Sequence, residues 1–386
     1  MQYKAFKYRL YPTKEQQVLI DKHIGACRFI YNLALETKQT VYAGYQRNLS
    51  CFDLMKQLPE LKQENEWLKE INSQSLQQTI VYVDSAFTNF FKGHADFPKY
   101  KSKHKSKQSF GIPQKIKVKD NKLFITKFKE GIKIVLDRDL TGKIKQATVS
   151  KTKTGKYFVS ILTEHDIPTI KLPIVKSETT IGIDLGIKDF LTTSNGDKIA
   201  NPKFLKAKLD KLKFIQRKLS KHKGKKAKRK FVILHEKIAN QRKDFLHKIS
   251  KKLISENQTI ILETLKVKDM LQNQDLSREI SDVSWRMFVS MLEYKSNWYG
   301  VNLIKIGQFE PSSKTCSCCG NIKKDLTLND REWTCTKCHT KHDRDINAAI
   351  NIKNFGLRNW VSGVDTQNQN ELPTLVGVMT SEAKLI

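Results

Sequence analysis

The sequence predicts a multidomain α+β protein: a small β-sheet or barrel with a helical insertion after its first strand, then an α/β domain carrying a compact metal-binding loop. Three observations predict it. The 386 residues allow about two to three domains at roughly 150 residues each. Period-two apolar runs at 3–11 and again between 122 and 162 flank a stretch whose apolar residues recur at three and four. Beyond residue 178 strands and helices alternate, and two Cys-x2-Cys pairs interrupt them near the end.

Residues 3–11 place Phe6, Tyr8 and Leu10 on one face and Lys7 and Arg9 on the other, and Pro12 ends the strand. Thr13 with Gln16 has the pattern of a capping box, and Ile20, Ile24, Cys27, Tyr31 and Ala34 then keep helical spacing. Helical pattern continues to about Phe91. Residues 122–126, 132–136 and 157–162 are β-rich and separated by turn residues, so they complete a sheet with the first strand. Residues 172–177 read as a linker. In the following domain, 179–185 and 190–194 read as strands with Asn195-Gly196 as a two-residue hairpin turn. Residues 259–262 and 301–306 are further strands, and Trp285, Phe288, Val289, Leu292 and Tyr299 mark one helix face. The polar tail after 358 is expected to be disordered.

Charge defines the partner class. With 70 Lys+Arg against 39 Asp+Glu the formal charge is +31, and a polyanion is needed to offset self-repulsion of that size. Phosphate backbones are the commonest polyanion, so nucleic acid is preferred over an anionic membrane surface. No apolar stretch is long enough to span a bilayer and the first residues lack a signal core, which predicts a cytoplasmic protein. Lys99, Lys101, Lys103, Lys105 and Lys107 fall on every second residue and would share one face if extended. Residues 203–230 hold fourteen Lys/Arg against the single acid Asp210, and Lys225, Lys226 and Arg229 stand out there as candidate phosphate contacts rather than merely solvated charges.

Three acids occupy positions suited to chemistry on phosphates. Asp184 lies in the strand Ile181-Gly182-Ile183-Asp184-Leu185, Glu263 ends the strand Ile260-Ile261-Leu262-Glu263, and Asp345 opens the helix-like run Asp345-Ile346-Asn347-Ala348-Ala349. Were the strands neighbours with the helix against their ends, three anions would converge, and such a cluster persists only when cations neutralise it. Two Mg²⁺ ions, with Mn²⁺ as a substitute, would do so and would orient water for attack on a phosphodiester. Each acid also has an ordinary reading: a strand end before a Gly turn, a surface glutamate, a helix cap. Asp343 is the nearest rival to Asp345.

Five of the seven cysteines fall within 316–338, unlike a spread disulfide framework. Cys316/Cys319 and Cys335/Cys338 form two Cys-x2-Cys pairs with fifteen residues between them, the spacing of a tetrathiolate Zn²⁺ ribbon. A closed four-ligand site implies one structural ion. Cys318 is out of register, His339 and His342 are lesser alternatives as ligands, and Cys27 and Cys51 read as small buried apolar residues.

Taken together these motifs give a resemblance. The chain resembles the TnpB (OrfB-type) proteins of bacterial insertion sequences, relatives of type V CRISPR effectors, over nearly its whole length. The residues that carry it are Tyr8-Arg9-Leu10-Tyr11-Pro12, Phe97-Pro98-Lys99-Tyr100-Lys101-Ser102-Lys103, Gly182-Ile183-Asp184-Leu185-Gly186, Leu262-Glu263-Thr264-Leu265, Ser312-Ser313-Lys314-Thr315-Cys316 and Asp343-Arg344-Asp345-Ile346-Asn347-Ala348-Ala349. The resemblance implies a β-barrel wedge domain (1–12 and 93–172), a helical recognition insertion (13–92), an RNase H-like RuvC domain (173–309 and 343–358) and a zinc-binding insertion (310–342). It implies an RNA-guided DNA endonuclease of a transposable element, with Asp184, Glu263 and Asp345 as Mg²⁺ ligands and Cys316, Cys319, Cys335 and Cys338 on zinc. Its partners would be a transposon-derived guide RNA and double-stranded target DNA beside a short motif. A guided repressor without cleavage, or a transposase that joins DNA ends, would share many of these features.

Overall fold

In a computed structural model of the chain, which describes residues 1–166, 170–222, 224–270, 272, 277–308, 310–327 and 330–361, two units form, one on each side of residues 167–169.

The first unit begins with β1 (Gln2–Tyr11), whose Tyr8 and Leu10 are fully buried. Thr13 Oγ1 accepts from the Gln16 N–H and Gln16 Oε1 accepts from the Thr13 N–H, so the anticipated capping box starts α1 (Lys14–Tyr45). Ile20, Ile24, Cys27, Tyr31 and Ala34 all lie on its buried face. Short helices α2 (Cys51–Lys56) and α3 (Leu58–Glu64) lead to α4 (Ser73–Phe91), which Asn72 caps. The strands that follow are β2 (Gln108–Ile112), β3 (Lys117–Lys119), β4 (Lys122–Ile125), β5 (Phe128–Val135), β6 (Lys143–Lys151) and β7 (Tyr157–His165). They form one sheet in the order β2-β6-β7-β1-β5-β4-β3, with β1 at its centre and antiparallel to both β7 and β5. The sheet is an open half-barrel: β2 and β3 are its edges and, among the described residues, do not pair with each other, so of the expected sheet or barrel the open form is the one adopted. Helices α1 and α4 share one core with the sheet, built on Ile20, Ile24, Leu76, Ile80, Phe110 and Ile112.

The lysine run at 99–107 differs from its expected geometry. It is not extended. Asn32 binds both the N–H and the carbonyl of Lys101, and Ser102 and Ser106 then close a turn over 103–105. The five lysines therefore do not share a face.

The second unit is built on β8 (Thr180–Leu185), β9 (Asp189–Thr193), β10 (Lys198–Ala200), β11 (Thr259–Glu263) and β12 (Asn302–Ile306). Their order is β10-β9-β8-β11-β12; β8, β9 and β10 are antiparallel neighbours, and β11 runs parallel to both β8 and β12. The hairpin from β9 to β10 carries three residues between the paired Thr193 and Asp197, not two, because Gly196 alone takes a positive φ (+93°) where the two-residue form needs Asn195 left-handed as well. Between β10 and β11 lie α5 (Leu209–His222) and α6 (Lys225–Glu256). Helices α7 (Val267–Met270), α8 (Ser277–Val283) and α9 (Trp285–Tyr299) connect β11 to β12. A small hairpin of β13 (Glu332–Thr334) and β14 (Lys341–Asp343) precedes α10 (Arg344–Val361). That helix continues three residues past the expected start of the tail, the rest of which lies outside the described residues.

α10 packs directly on the sheet. A Cβ on Gly182 of β8 would sit 2.2 Å from the Ala349 carbonyl oxygen and 2.7 Å from the Lys353 nitrogen, so only glycine admits the helix at this distance. Gly182→Ala is expected to destabilise the second unit by about 3 kcal/mol, since backbone atoms on both sides must move. Urea unfolding would measure it, and an unchanged midpoint would contradict the close approach.

Candidate metal centres

Strand register brings two of the predicted acids side by side. Leu262 pairs with Ile183 across parallel β11 and β8, so the next residues, Glu263 and Asp184, leave the sheet together at its carboxyl edge. The third arrives on α10. From the Gly182–Ala349 contact, Asp184 lies two residues, about 7 Å, along β8, and Asp345 lies four residues, about 6 Å, back along the helix. Asp184 feels the charge of Asp345, so both steps lead to the same edge.

Electrostatics reports the convergence. Asp184 is pushed up to about 7, first by burial and then by the charges of Asp345 and Glu263, against a smaller opposing pull from Arg344 and the Leu185 N–H. Burial also raises Glu263. The three carboxylates are spread wider than a single-ion cage, since their oxygens do not all fall within 4.8 Å of one another. Asp345 Oδ1 accepts from Arg344 Nε and Nη2, both at 3.3 Å, and Arg331 Nη1 stands 3.6 Å from Oδ2.

Asp343 and Asp345 divide the work at this helix start. Asp343 Oδ1 accepts from the N–H groups of Asp345 (3.1 Å) and Ile346 (3.0 Å), and its Oδ2 binds Lys198 Nζ at 2.6 Å. Burial alone would raise Asp343, but Lys198 and those N–H groups hold it below its ordinary value. Capping thus falls to Asp343, the ordinary reading considered for Asp345.

A pH effect follows for the metal-free protein. Asp184 titrates near 7 when folded and near 3.9 when unfolded. Its raised value makes the contribution to stability fullest below about pH 4 and loses it as pH rises through 7. We expect a fall of about 4 kcal/mol from this group across that window, absent in Asp184→Asn and reversed by millimolar Mg²⁺. Thermal unfolding as a function of pH in both proteins checks it, and parallel curves would contradict it.

The cysteines form a second cluster. Cys316 and Cys338 Sγ lie 3.5 Å apart, Cys319 and Cys335 Sγ 3.6 Å apart, and all four sulfurs fall within 4.8 Å of one another. A tetrahedral zinc with bonds of about 2.3 Å separates its sulfurs by about 3.8 Å, so the donor set is compatible with that ion. The two pairs are built alike. In each, the first cysteine N–H bonds the carbonyl five residues on (Asn321, Thr340), and the N–H four residues on (Gly320, His339) returns to the first cysteine's carbonyl. Gly320 and His339 both take a positive φ, +74° and +59°. His339 is therefore a turn residue. His342 is buried against Trp333 with Nε2 3.1 Å from Cys316 Sγ. It completes a second possible set with Cys316 and Cys318, though Cys318 is exposed.

Sequence reading missed the residues that tie the two centres together. Asn347 Nδ2 donates to the Thr315 carbonyl at 2.7 Å, Asn347 Oδ1 accepts from the Ser317 N–H, and Asn351 Nδ2 donates to the Ser312 and Thr315 carbonyls. Both asparagines are buried on α10. Polar residues four apart among Ala348, Ala349 and Ile352 were the available signal.

The basic candidates are dispersed. Lys99, Lys103, Lys105 and Lys107 are exposed, whereas Lys101 turns inward over the Tyr31 ring at 3.7 Å, and burial pushes it down to about 8. Lys225, Lys226 and Arg229 are exposed on the first turns of α6.

Comparison with known proteins bears on the whole chain. A protein of Streptomyces pristinaespiralis described as "Putative RNA-guided DNA endonuclease" is 40% identical over 378 residues, covering 95% of this chain and 93% of its own. The chain belongs to the TnpB family. A protein of Escherichia coli K12 with the same description, InsQ, is 30% identical over 90% of this chain and 91% of its own. The TnpB-like protein L79 of Acanthamoeba polyphaga mimivirus is 25% identical over 92% and 73%. Family models described as "Probable transposase" and "Cas12f1-like, TNB domain" match residues 159–274 and 285–352. A third, described as "Helix-turn-helix domain", matches residues 1–47; in this TnpB-family chain that stretch is one strand and one continuous helix. Among solved structures, the mini-RNA-guided endonuclease CRISPR-Cas_phi3 aligns over 92% of both chains at 11% identity with a TM-score of 0.46, a level that carries neither fold nor function across. Among the described residues no helix is long and apolar enough to cross a membrane.

Proposed function

We propose that the chain is an RNA-guided DNA endonuclease that hydrolyses phosphodiesters at one RuvC-type site formed by Asp184, Glu263 and Asp345. The observation that carries this reading is the convergence of the three acids at one sheet edge, where burial first, and then the charges of Asp345 and Glu263, hold Asp184 near 7. Such a set is stabilised by divalent cations and little else. Two Mg²⁺ ions, or Mn²⁺ in their place, would supply Lewis acidity and an oriented water when bound. The chain's part is to fix three carboxylates from two adjacent strand ends and one helix start, so that they need little rearrangement. Cys316, Cys319, Cys335 and Cys338 hold one structural Zn²⁺ in this reading. The half-barrel serves as the wedge domain, residues 13–92 as the recognition insertion, and 173–309 with 343–358 as the nuclease domain interrupted by 310–342. Relatives named as RNA-guided DNA endonucleases and the charge of +31 support a guide RNA and target DNA as partners.

The test has two steps. RNA copurifying with the chain is sequenced, and a plasmid carrying the matching target is then incubated with the ribonucleoprotein and Mg²⁺. Double-strand breaks at the target support the reading. Tight target binding without breaks in Mg²⁺ or Mn²⁺ would replace it with a guided repressor, and joined strand-transfer products would replace it with a transposase.

A further inference from the structure

Between β10 and the acid-bearing strand β11 the chain leaves the sheet as the α5–α6 hairpin. The two helices pack on each other through a small core of their own, Leu212 and Ile215 against Leu234 and Ile238, with Phe204, Leu205 and Phe231 beside it. A buried clamp anchors the base: Asp282 of α8 accepts from Arg242 Nη2 at 2.7 Å and from the Leu205 N–H at 2.9 Å. The hairpin is therefore a built element, not a loose charged loop.

Its outward side has an unusual composition. Leu212 and Ile215 define the buried side of α5, and about 130° or more away lie Lys213, Phe214, Arg217, Lys221 and the single acid Asp210, all exposed, with Lys211 and Lys218 flanking them, so cations prevail on this face. Phe214 is 57% exposed, and the Lys218 ammonium stands 4.5 Å from its ring centroid. A bare aromatic ring framed by cations is costly to leave in water, and it suits a ligand that presents a π face and phosphates at the same repeat. A free nucleic-acid strand is such a ligand, because every base offers a face to stack upon and every nucleotide a charge. Duplex does not, since its bases are already stacked. An apolar protein partner would leave Arg217, Lys218 and Lys221 without counter-charges.

We propose that the outer face of α5 is a platform for single-stranded nucleic acid, on which Phe214 stacks a base while Lys211, Arg217, Lys218 and Lys221 follow the phosphates. The partner class rests on the nucleic-acid reading above, but not on cleavage or on the acids. A displaced DNA strand and an unpaired stretch of guide RNA share the required chemistry.

The test measures binding of the RNA-free full chain to labelled twenty-nucleotide single-stranded DNA, single-stranded RNA, duplex DNA and an abasic single strand, without added divalent metal, across a salt series. Phe214→Ala is expected to weaken binding to the two base-bearing single strands by about tenfold at every salt concentration. It leaves the salt slope, the duplex and the abasic strand unchanged, and Phe214→Tyr restores the loss. Replacing Lys211, Arg217 and Lys221 by alanine instead flattens the slope by about two. Whichever of DNA and RNA shows the larger Phe214 effect identifies the source of the strand. Equal binding by wild type and Phe214→Ala to both base-bearing strands would overturn the proposal, as would an equal loss on the abasic strand. Because Phe214 is exposed, matching melting curves for the variants exclude misfolding as the cause.

Discussion

Asp184→Asn will lower Mg²⁺-dependent target cleavage by at least about a thousandfold, because in the proposed site it removes one charged ligand and with it several kcal/mol from the transition state at 1.36 kcal/mol per tenfold. The same change will leave the metal-free protein as stable as the wild type, or more so, at pH 7 to 8. A carboxylate pushed up to about 7 by burial and by Asp345 and Glu263 opposes folding when charged, and an amide does not carry that charge. Loss of activity joined to a gain in stability separates a functional carboxylate from a structural one. Asp343→Ala should behave in the opposite sense, costing about 1 kcal/mol of stability through loss of the cap while cleavage persists. Single-turnover kinetics with thermal melts of both variants read the two effects. If Asp343→Ala abolished cleavage and Asp345→Ala did not, the roles assigned at this helix start would be reversed.

Cys335→Ser will empty the sulfur cluster and unfold the loop around it. Apparent zinc binding energies of roughly 10 to 16 kcal/mol hold loops of this type, and the loop's own apolar core among the described residues consists of little beyond Leu326, Trp333 and the cysteines. Metal content should drop from about one zinc per chain to near zero, and amides in 310–343 should lose protection from hydrogen exchange. Cys318→Ser, by contrast, should keep both, since Cys318 is exposed and lies outside the four-sulfur set. Retention of zinc by Cys335→Ser and loss by Cys318→Ser would favour the alternative set with His342.

Much of the frame was legible because local signals agreed with the final packing. Thr13 and Gln16 announce α1 through a cap made entirely within four residues. Ile181-Gly182-Ile183 and Ile260-Ile261-Leu262 announce strands buried on both faces, which is the hallmark of parallel neighbours. The Cys-x2-Cys pairs carry their own turn geometry, so sequence spacing marks each pair, and the four sulfurs meet where the two turns face each other. What escaped was set by distant partners. The alternation of Lys99 to Lys107 suggested an extended comb, but Asn32, sixty-nine residues from Lys101, fixes the backbone where the turn begins. Sheet closure is likewise a property of strand tilt and stagger rather than of any one strand, so the half-barrel could not be told from a barrel. Asn347 and Asn351 look like unremarkable helix residues until their acceptors, 32 to 39 positions upstream, fold against them.

Asp343 is at once the last residue of β14 and the cap of α10. No spacer separates the sulfur-held loop from the helix that presents Asp345, so the joint works like a keyed shaft coupling. One extra residue there would rotate every following side chain by about 100°, swinging Asp345 off the sheet edge and withdrawing Asn347 and Asn351 from the loop in the same turn. The length of this joint is thus constrained more tightly than the identity of most residues around it, and deletions or insertions should be tolerated elsewhere in the loop before they are tolerated here.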